Sequence, residues 1–167
     1  MSPSSPSLRT PTVAVSVRLA LRGEVPVEAS LFMPDVPRNA RSQLLEDVQR
    51  LLEEDRDFLP VEVDGQRSLI NRSAIDFVAV ARRPGGFGED DEVSDVHTLF
   101  DYRCPVRIEL IDGLALGGTL LFSTPADRAR LVDFLNLGPR FVQLWTSGEL
   151  ILVQRGCIRR IAETAEA

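Results

Sequence analysis

Two stretches of this chain match each other without a gap, and this self-similarity limits the possible folds more than any other feature. The matched positions combine apolar residues with glycine and arginine: Leu52 with Leu135, Phe58 with Phe141, Gly65 with Gly148, Leu69 with Leu152, Arg72 with Arg155 and Ile75 with Ile158. Upstream, residues 17–21 match residues 106–110, Gly23 matches Gly113, and Leu31 and Phe32 match Leu121 and Phe122. We therefore favour a duplicated module over two β-rich segments that agree only in composition.

The second copy shows the organisation of the module most clearly. Residues 106–110 alternate apolar and charged side chains, and a turn at Asp112 and Gly113 leads into the apolar residues 114–122, which predicts a hairpin. Thr124 and Pro125 suit the N-cap and first position of a helix that ends before Gly138. Residues 141–146 and 150–154 predict a second hairpin. Each copy therefore has the pattern ββαββ.

The first copy has the same pattern. Residues 13–21 and 25–33 predict two strands, Asn39 can cap a helix over residues 40–54, and residues 58–63 and 67–70 predict the second hairpin, after which residues 74–81 close the copy. Roughly 60 residues is marginal for an independent core, so we expect the copies to pack together. The predicted fold is α+β, mainly β, with two tandem ββαββ repeats packed as a pseudo-twofold pair.

Composition divides the chain further. We predict a disordered tail at residues 1–11, the first repeat at residues 12–81, a flexible Gly-rich and acidic linker at residues 82–95, and the second repeat at residues 96–164. No apolar run has membrane length and no secretory signal is recognisable, so we expect a cytoplasmic bacterial protein without a membrane partner.

The residue types in this sequence argue against several catalytic and binding functions. Every basic residue is arginine, which removes a P-loop or Schiff-base lysine, and the net charge of −6 argues against sequence-independent nucleic-acid binding. His97 is the only histidine, which excludes paired histidine metal ligands, and a surface or packing role is favoured over a catalytic triad. We interpret Cys104 and Cys157 as reduced, mostly buried side chains.

The acidic run and the glycine-rich segments are better explained by a role in the fold than by a binding site. The acidic run at residues 89–92 fits a solvated linker better than a cation site, because the EF-hand order is missing. Gly117 and Gly118, like the glycines of residues 85–88, fit backbone bends better than a phosphate loop. We predict no metal, no cofactor and no enzymatic activity.

Candidate binding residues are arginines and one tryptophan. Arg72 and Arg155 correspond between the copies and follow a polar residue at a strand end, where a guanidinium could clamp a carboxylate or phosphate; an internal bond to its own repeat is the favoured alternative. Together with these two, four further arginines could form basic corners: Arg82, Arg83, Arg159 and Arg160. Trp145 would be an interface anchor if exposed and a core residue if buried.

Some of these motifs resemble a known family. Residues 130–136 (Arg-Leu-Val-Asp-Phe-Leu-Asn), Phe141 with Leu144, and residues 154–158 look like the R-L-x-D-x-L-N helix, F-x-x-L strand and N-[KR]-x-x-I strand of small uncharacterised bacterial β-rich domains. Residues 71–75 fit the last motif more closely, whereas the first helix lacks the Asp-x-Leu-Asn ending. The resemblance implies two tandem copies of such a domain; because the function of the family is unknown, it implies an architecture only.

The sequence thus favours a non-enzymatic protein-interaction adaptor or regulatory module of a bacterial cytoplasmic complex. Its expected partner is another protein, with a homo-oligomer as a further option. The alternative is an Sm-like or barrel-type module that binds a ligand or RNA through the arginine corners. Strong salt dependence of binding would favour this alternative.

Overall fold

The computed structural model describes residues 11–38, 41–82, 100–123 and 130–165. These residues form ten β-strands and two α-helices. In chain order they are β1 (Thr12–Leu21), β2 (Val27–Pro34), α1 (Arg41–Glu53), β3 (Phe58–Val63), β4 (Gln66–Asn71), β5 (Ile75–Ala81), β6 (Tyr102–Leu110), β7 (Ala115–Phe122), α2 (Leu131–Leu137), β8 (Phe141–Trp145), β9 (Glu149–Gln154) and β10 (Ile158–Glu163). Short 3₁₀ turns, Arg72–Ala74 and Arg155–Cys157, precede β5 and β10.

All ten strands join one antiparallel sheet in the order β10-β6-β7-β8-β9-β5-β1-β2-β3-β4. The prediction of two ββαββ repeats packed as a pseudo-twofold pair is therefore wrong. A twofold axis would join identical edges, whereas here β5 pairs with β9, two strands that occupy different places in their halves. Each half also contains a further strand, β5 or β10, which follows the 3₁₀ turn.

The first half (β1 to β5) and the second half (β6 to β10) have the same strand order within the sheet. Val61 lies opposite Leu31, and its counterpart Leu144 lies opposite Leu120. Leu31 therefore corresponds to Leu120, not to Leu121, and the match of Leu31 and Phe32 is wrong by one residue. The two β-turns have equal length, because Val17 pairs with Ala29 as Val106 pairs with Gly118, so the one-residue gap that the sequence match placed at this turn does not exist.

The central strands β5 and β9 separate two hydrophobic cores. Val78 and Val80 of β5 belong to the core of the first half, whereas Phe77 and Ala79 belong to the core of the second half. Strand β9 alternates in the same way, with Leu150 and Leu152 in the first core and Ile151 and Val153 in the second. Because successive side chains of a strand point to opposite faces, the two cores lie on opposite faces of this pair.

Helix α1 fixes the β8–β9 hairpin against the first half. The carboxylate of Glu53 accepts hydrogen bonds from the backbone N–H groups of Arg140 (3.1 Å) and Phe141 (2.7 Å). The side-chain amide of Gln49 donates to the carbonyl of Phe141 (3.0 Å) and accepts from Gln143 (3.2 Å). The hairpin β8–β9 thus lies between α1 and β5, and we call this contact the internal junction.

Candidate interaction surface

Arg72 is committed to its own half. The side chain is 2% exposed, and its guanidinium donates to the carbonyls of Phe58 (3.0 Å), Leu51 (3.2 Å) and Arg56. These carbonyls lie at and just beyond the C-terminal end of α1, where helix carbonyls have no partner within the helix. The guanidinium thus connects the helix end to the 3₁₀ turn before β5, which is the internal role that the sequence left open.

Arg155 binds carbonyls at the end of the helix in the second half, as Arg72 does in the first, but it remains exposed. Its guanidinium donates to the carbonyls of Leu135 (2.9 Å) and Gly138 (2.9 Å) at the end of α2. The backbone N–H groups also correspond, since Arg72 N–H donates to Asp57 O and Arg155 N–H donates to Arg140 O, both at 2.7 Å. The two arginines lie in separate halves and do not form a shared clamp.

Trp145 lies in the core rather than on an outer face. The side chain is 7% exposed and belongs to the first half's core, although its strand belongs to the second half. The guanidinium of Arg82 lies 5.1 Å from the indole ring, donates to the carbonyl of Thr146 (2.8 Å) and is itself buried. Both side chains therefore stabilise the internal junction.

The remaining arginine candidates separate into two groups. Arg159 and Arg160 begin β10 and both approach the carboxylate of Glu109, with an Arg160 Nε to Glu109 Oε2 distance of 3.8 Å. Arg83, like His97 and the acidic run at residues 89–92, lies outside the described residues. The basic corner proposed from the sequence is thus a pair of arginines on an edge strand.

An open groove of about 510 Å³ lies between α2 and the edge strand β10. Its floor and walls are aliphatic and its rim is charged. The lining residues are Arg130, Leu131, Val132, Leu135, Asn136, Ile158, Arg159, Arg160, Ile161 and Glu163. The corresponding space in the first half, between α1 and β5, is filled by the β8–β9 hairpin of the internal junction.

The opposite end of the sheet exposes apolar side chains on the β3–β4 hairpin. Phe58 is 56% exposed and Leu69 is 71% exposed, and β4 is an edge strand. Their counterparts Phe141 and Leu152 are both 0% exposed, because they lie in the internal junction. The same hairpin is therefore buried in one half and uncovered in the other.

A polar cluster lies where the 3₁₀ turn of the second half meets the first half. The guanidinium of Arg22 donates to the Sγ atom of Cys157 (2.7 Å) and lies 3.6 Å from the buried carboxylate of Asp76, while the thiol donates to Gln154 (2.9 Å). Burial and then Asp76 raise the pKa of Cys157 to about 11, although Arg22 acts in the opposite direction. The thiol is therefore protonated at neutral pH, and the cluster is structural rather than nucleophilic.

Cys104 lies half-buried on β6, and burial, with a smaller contribution from Glu163, raises the pKa of its thiol. Within the described ranges, no group of three or more histidine, cysteine or carboxylate side chains could hold a metal ion. None of the described helices is long and apolar enough to cross a bilayer.

Comparison with known proteins found no family model, no curated protein and no solved structure that matches this chain. The described residues define a class of architecture in which one continuous antiparallel sheet has two edge strands with different surroundings. One edge is bordered by a groove and the other is formed by an apolar hairpin.

Proposed function

We propose that this protein is a non-enzymatic protein-interaction module that binds an extended segment of a polypeptide along β10, in the groove beside α2. One observation carries the proposal: a β-hairpin fills the corresponding groove of the first half, while the groove of the second half is open. A surface with the shape and position of a known hairpin site is best suited to another hairpin or strand.

The chemistry of the groove supports binding rather than catalysis. An edge strand offers unpaired backbone N–H and C=O groups to an added strand, and apolar pockets beside it select side chains. Leu131, Leu135 and Ile161 supply such pockets. The polar groups of the groove are arginines, one amide and one carboxylate, which suit recognition at the rim better than activation of a nucleophile.

A photo-crosslinking experiment tests this function directly. A benzophenone amino acid replaces Val132 in the groove or, as a matched control, Val25, which is 81% exposed in the turn after β1. Irradiation in the native cells should give a polypeptide adduct at position 132 and none at position 25. Adducts that nuclease removes would instead favour an RNA ligand of the groove arginines, and the absence of any polypeptide adduct at position 132 would refute the proposal.

A further inference from the structure

We propose that the occupant of the groove is the β3–β4 hairpin of a second copy of this chain. This inference rests on the proposed function, since it names the polypeptide that the groove binds. The internal junction is the template: the groove of the first half holds the hairpin β8–β9, and among the described residues the groove of the second half holds no strand and the β3–β4 hairpin is uncovered.

The uncovered hairpin and the strand beside it keep three of the five buried apolar positions by which the second half enters the first core. In the internal junction, Leu121, Phe141 and Leu152 of the second half enter the core of the first half. The corresponding residues of the first half are Phe32, Phe58 and Leu69, and each is apolar. Phe58 and Leu69 are mainly exposed, and the guanidinium of Arg67 lies 4.5 Å from the Phe32 ring. Three apolar positions are thus kept in both halves, whereas Glu62 and Arg67 replace Trp145 and Leu150.

The residues next to Phe58 in β3 are buried, so the exposure of Phe58 and Leu69 does not come from a hairpin that is detached from its own half. Leu59 and Val61 are 1% and 0% exposed in the core of their own half, as Val142 and Leu144 are in theirs. Alternate side chains of the same strand therefore pack internally, and only the face that corresponds to the junction is open.

The vacant groove likewise resembles the filled one. Its apolar positions Leu131, Leu135 and Ile161 correspond to Val48, Leu52 and Val78, which are 0% exposed beneath the β8–β9 hairpin. Asn136 takes the place of Glu53, whose carboxylate accepts the backbone N–H of Phe141. An amide oxygen at this position can accept the N–H of Phe58 in the same way.

The internal junction also fixes the expected register. Val78 lies opposite Leu152, and Val80 lies opposite Leu150. If β10 pairs with β4 of a second copy as β5 pairs with β9, Ile161 takes the place of Val78 and lies opposite Leu69 of the second copy. In the same register, Glu163 takes the place of Val80 and lies opposite Arg67 of the second copy. The first pair is apolar on apolar, and the second joins opposite charges across the strands, which stabilises antiparallel pairing.

The overall charges of the two surfaces are complementary. The lining of the groove has Arg130, Arg159 and Arg160 with the carboxylate of Glu163, and Glu109 pairs with Arg159 and Arg160, which leaves a net charge of +1. The hairpin, residues 57–71, has Asp57, Glu62 and Asp64 with Arg67, a net charge of −2. Attraction between unlike surfaces favours head-to-tail docking and disfavours pairing of two grooves or two hairpins.

Such an interface joins two different surfaces, so it is heterologous, and repetition gives a closed ring or an open filament of chains. This property allows a decisive mixing experiment. Val132→Glu blocks the groove with a charge that repels the acidic hairpin, and Leu69→Arg blocks the hairpin with a charge that repels the basic groove. Both residues are exposed, so neither substitution disturbs a core.

Light scattering after size-exclusion chromatography then measures mass against the 18.5 kDa of one chain. The wild type should form an assembly of several chains, each blocked variant alone should be monomeric, and an equal mixture should give a dimer and nothing larger. The dimer forms because the mixture retains one intact groove and one intact hairpin. Val25→Glu, at the exposed control position, should assemble as the wild type does.

A charge exchange tests the register. Glu163→Arg and Arg67→Glu should each weaken assembly on the order of tenfold or more, because like charges then face each other, and the double variant should recover most of the loss. A monomeric wild type, assembly by both blocked variants, or failure of the double variant to recover would overturn the inference. If the photo-crosslink at position 132 captures a different polypeptide while the chain is monomeric, only this inference fails and the proposed function stands.

Discussion

Replacement of Arg72 by alanine should cost far more stability than replacement of Arg155, although the two residues correspond and both bind backbone carbonyls near the end of the helix in their own half. Both backbone N–H groups make the same 2.7 Å bond, so the comparison isolates the guanidinium and its burial. Arg72 is 2% exposed, and three carbonyls lose a charged donor when its side chain is removed. Water can reach the partners of Arg155 but cannot easily reach those of Arg72.

The magnitudes follow from hydrogen-bond energetics. A net contribution of about 1 kcal/mol per bond, with a further penalty for carbonyls left buried and unpaired, gives about 4 kcal/mol for Arg72→Ala. Its Nε atom has no partner among the described residues, which keeps the figure from being larger. For Arg155→Ala, solvation of the freed carbonyls limits the loss to about 1 kcal/mol.

Urea denaturation measures the difference. Both substitutions are made in the Leu69→Arg chain, so that self-association does not contribute to stability. With a slope of about 2 kcal/mol per molar urea, the midpoint should fall by about 2 M for Arg72→Ala and by about 0.5 M for Arg155→Ala. Equal losses, or a loss below about 1 kcal/mol for Arg72→Ala, would refute the assignment of burial as the cause.

Three further outcomes are expected from the same denaturation assay. In the monomeric Val132→Glu chain, Leu152→Ala should cost about 3 kcal/mol and Leu69→Ala less than about 0.5 kcal/mol, because only the former leaves a cavity. Gly118→Ala should destabilise the fold, since the added Cβ would lie 2.7 Å from a backbone carbonyl of β8, whereas Gly117→Ala meets nothing within 4 Å and should have no effect. The pKa of the Cys157 thiol is raised in the folded state, so the folded protein holds the thiol proton more tightly than the unfolded chain does. The free energy of unfolding of the wild type should therefore fall between pH 9 and about pH 11, by about 2 kcal/mol more than that of Cys157→Ala. Parallel pH profiles of the two proteins would contradict this.

Much of the local structure follows from sequence periodicity. The helix predicted over residues 40–54 is Arg41–Glu53, and the hairpin predicted at residues 58–63 and 67–70 is β3 and β4. These elements depend on side chains that are close in sequence, and neighbouring residues carry the signal. The cap proposed at Thr124 and Pro125 lies outside the described residues.

The arrangement of the two halves could not be predicted in the same way. The ββαββ pattern predicted for the second half has no place for strand β10, because the 3₁₀ turn Arg155–Cys157 that precedes it has no strong sequence signature. Periodicity also cannot tell which edge of a strand finds a partner, since both edges present the same backbone groups. The structure is therefore a continuous sheet joined through β5 and β9, and not the twofold pair that the repeat predicts.

The candidate residues illustrate the same limit. Arg72 and Arg155 were chosen because they match, but matching residues serve the fold equally in both halves. Arg159 and Arg160, which line the groove, are predicted binding residues, but the groove itself does not follow from the sequence, because its apolar residues resemble those of the filled groove. Arg67 stands where the second half has Leu150, and Glu163 stands where the first half has Val80. A sequence signal for the groove and the hairpin was available. It consists of the positions at which one half has a charged residue and the matching half has an apolar one.

Those two charges also explain how an exposed edge can be specific. An uncovered hairpin with Phe58 and Leu69 on one face would pair with many other strands if nothing selected the register. In the proposed assembly, a slip of one residue moves every side chain of β4 to the other face, which takes Leu69 away from Ile161 and separates Arg67 from Glu163. In that proposal the apolar pair is the driving force and the charged pair penalises this slip, so the same four residues would determine both affinity and register.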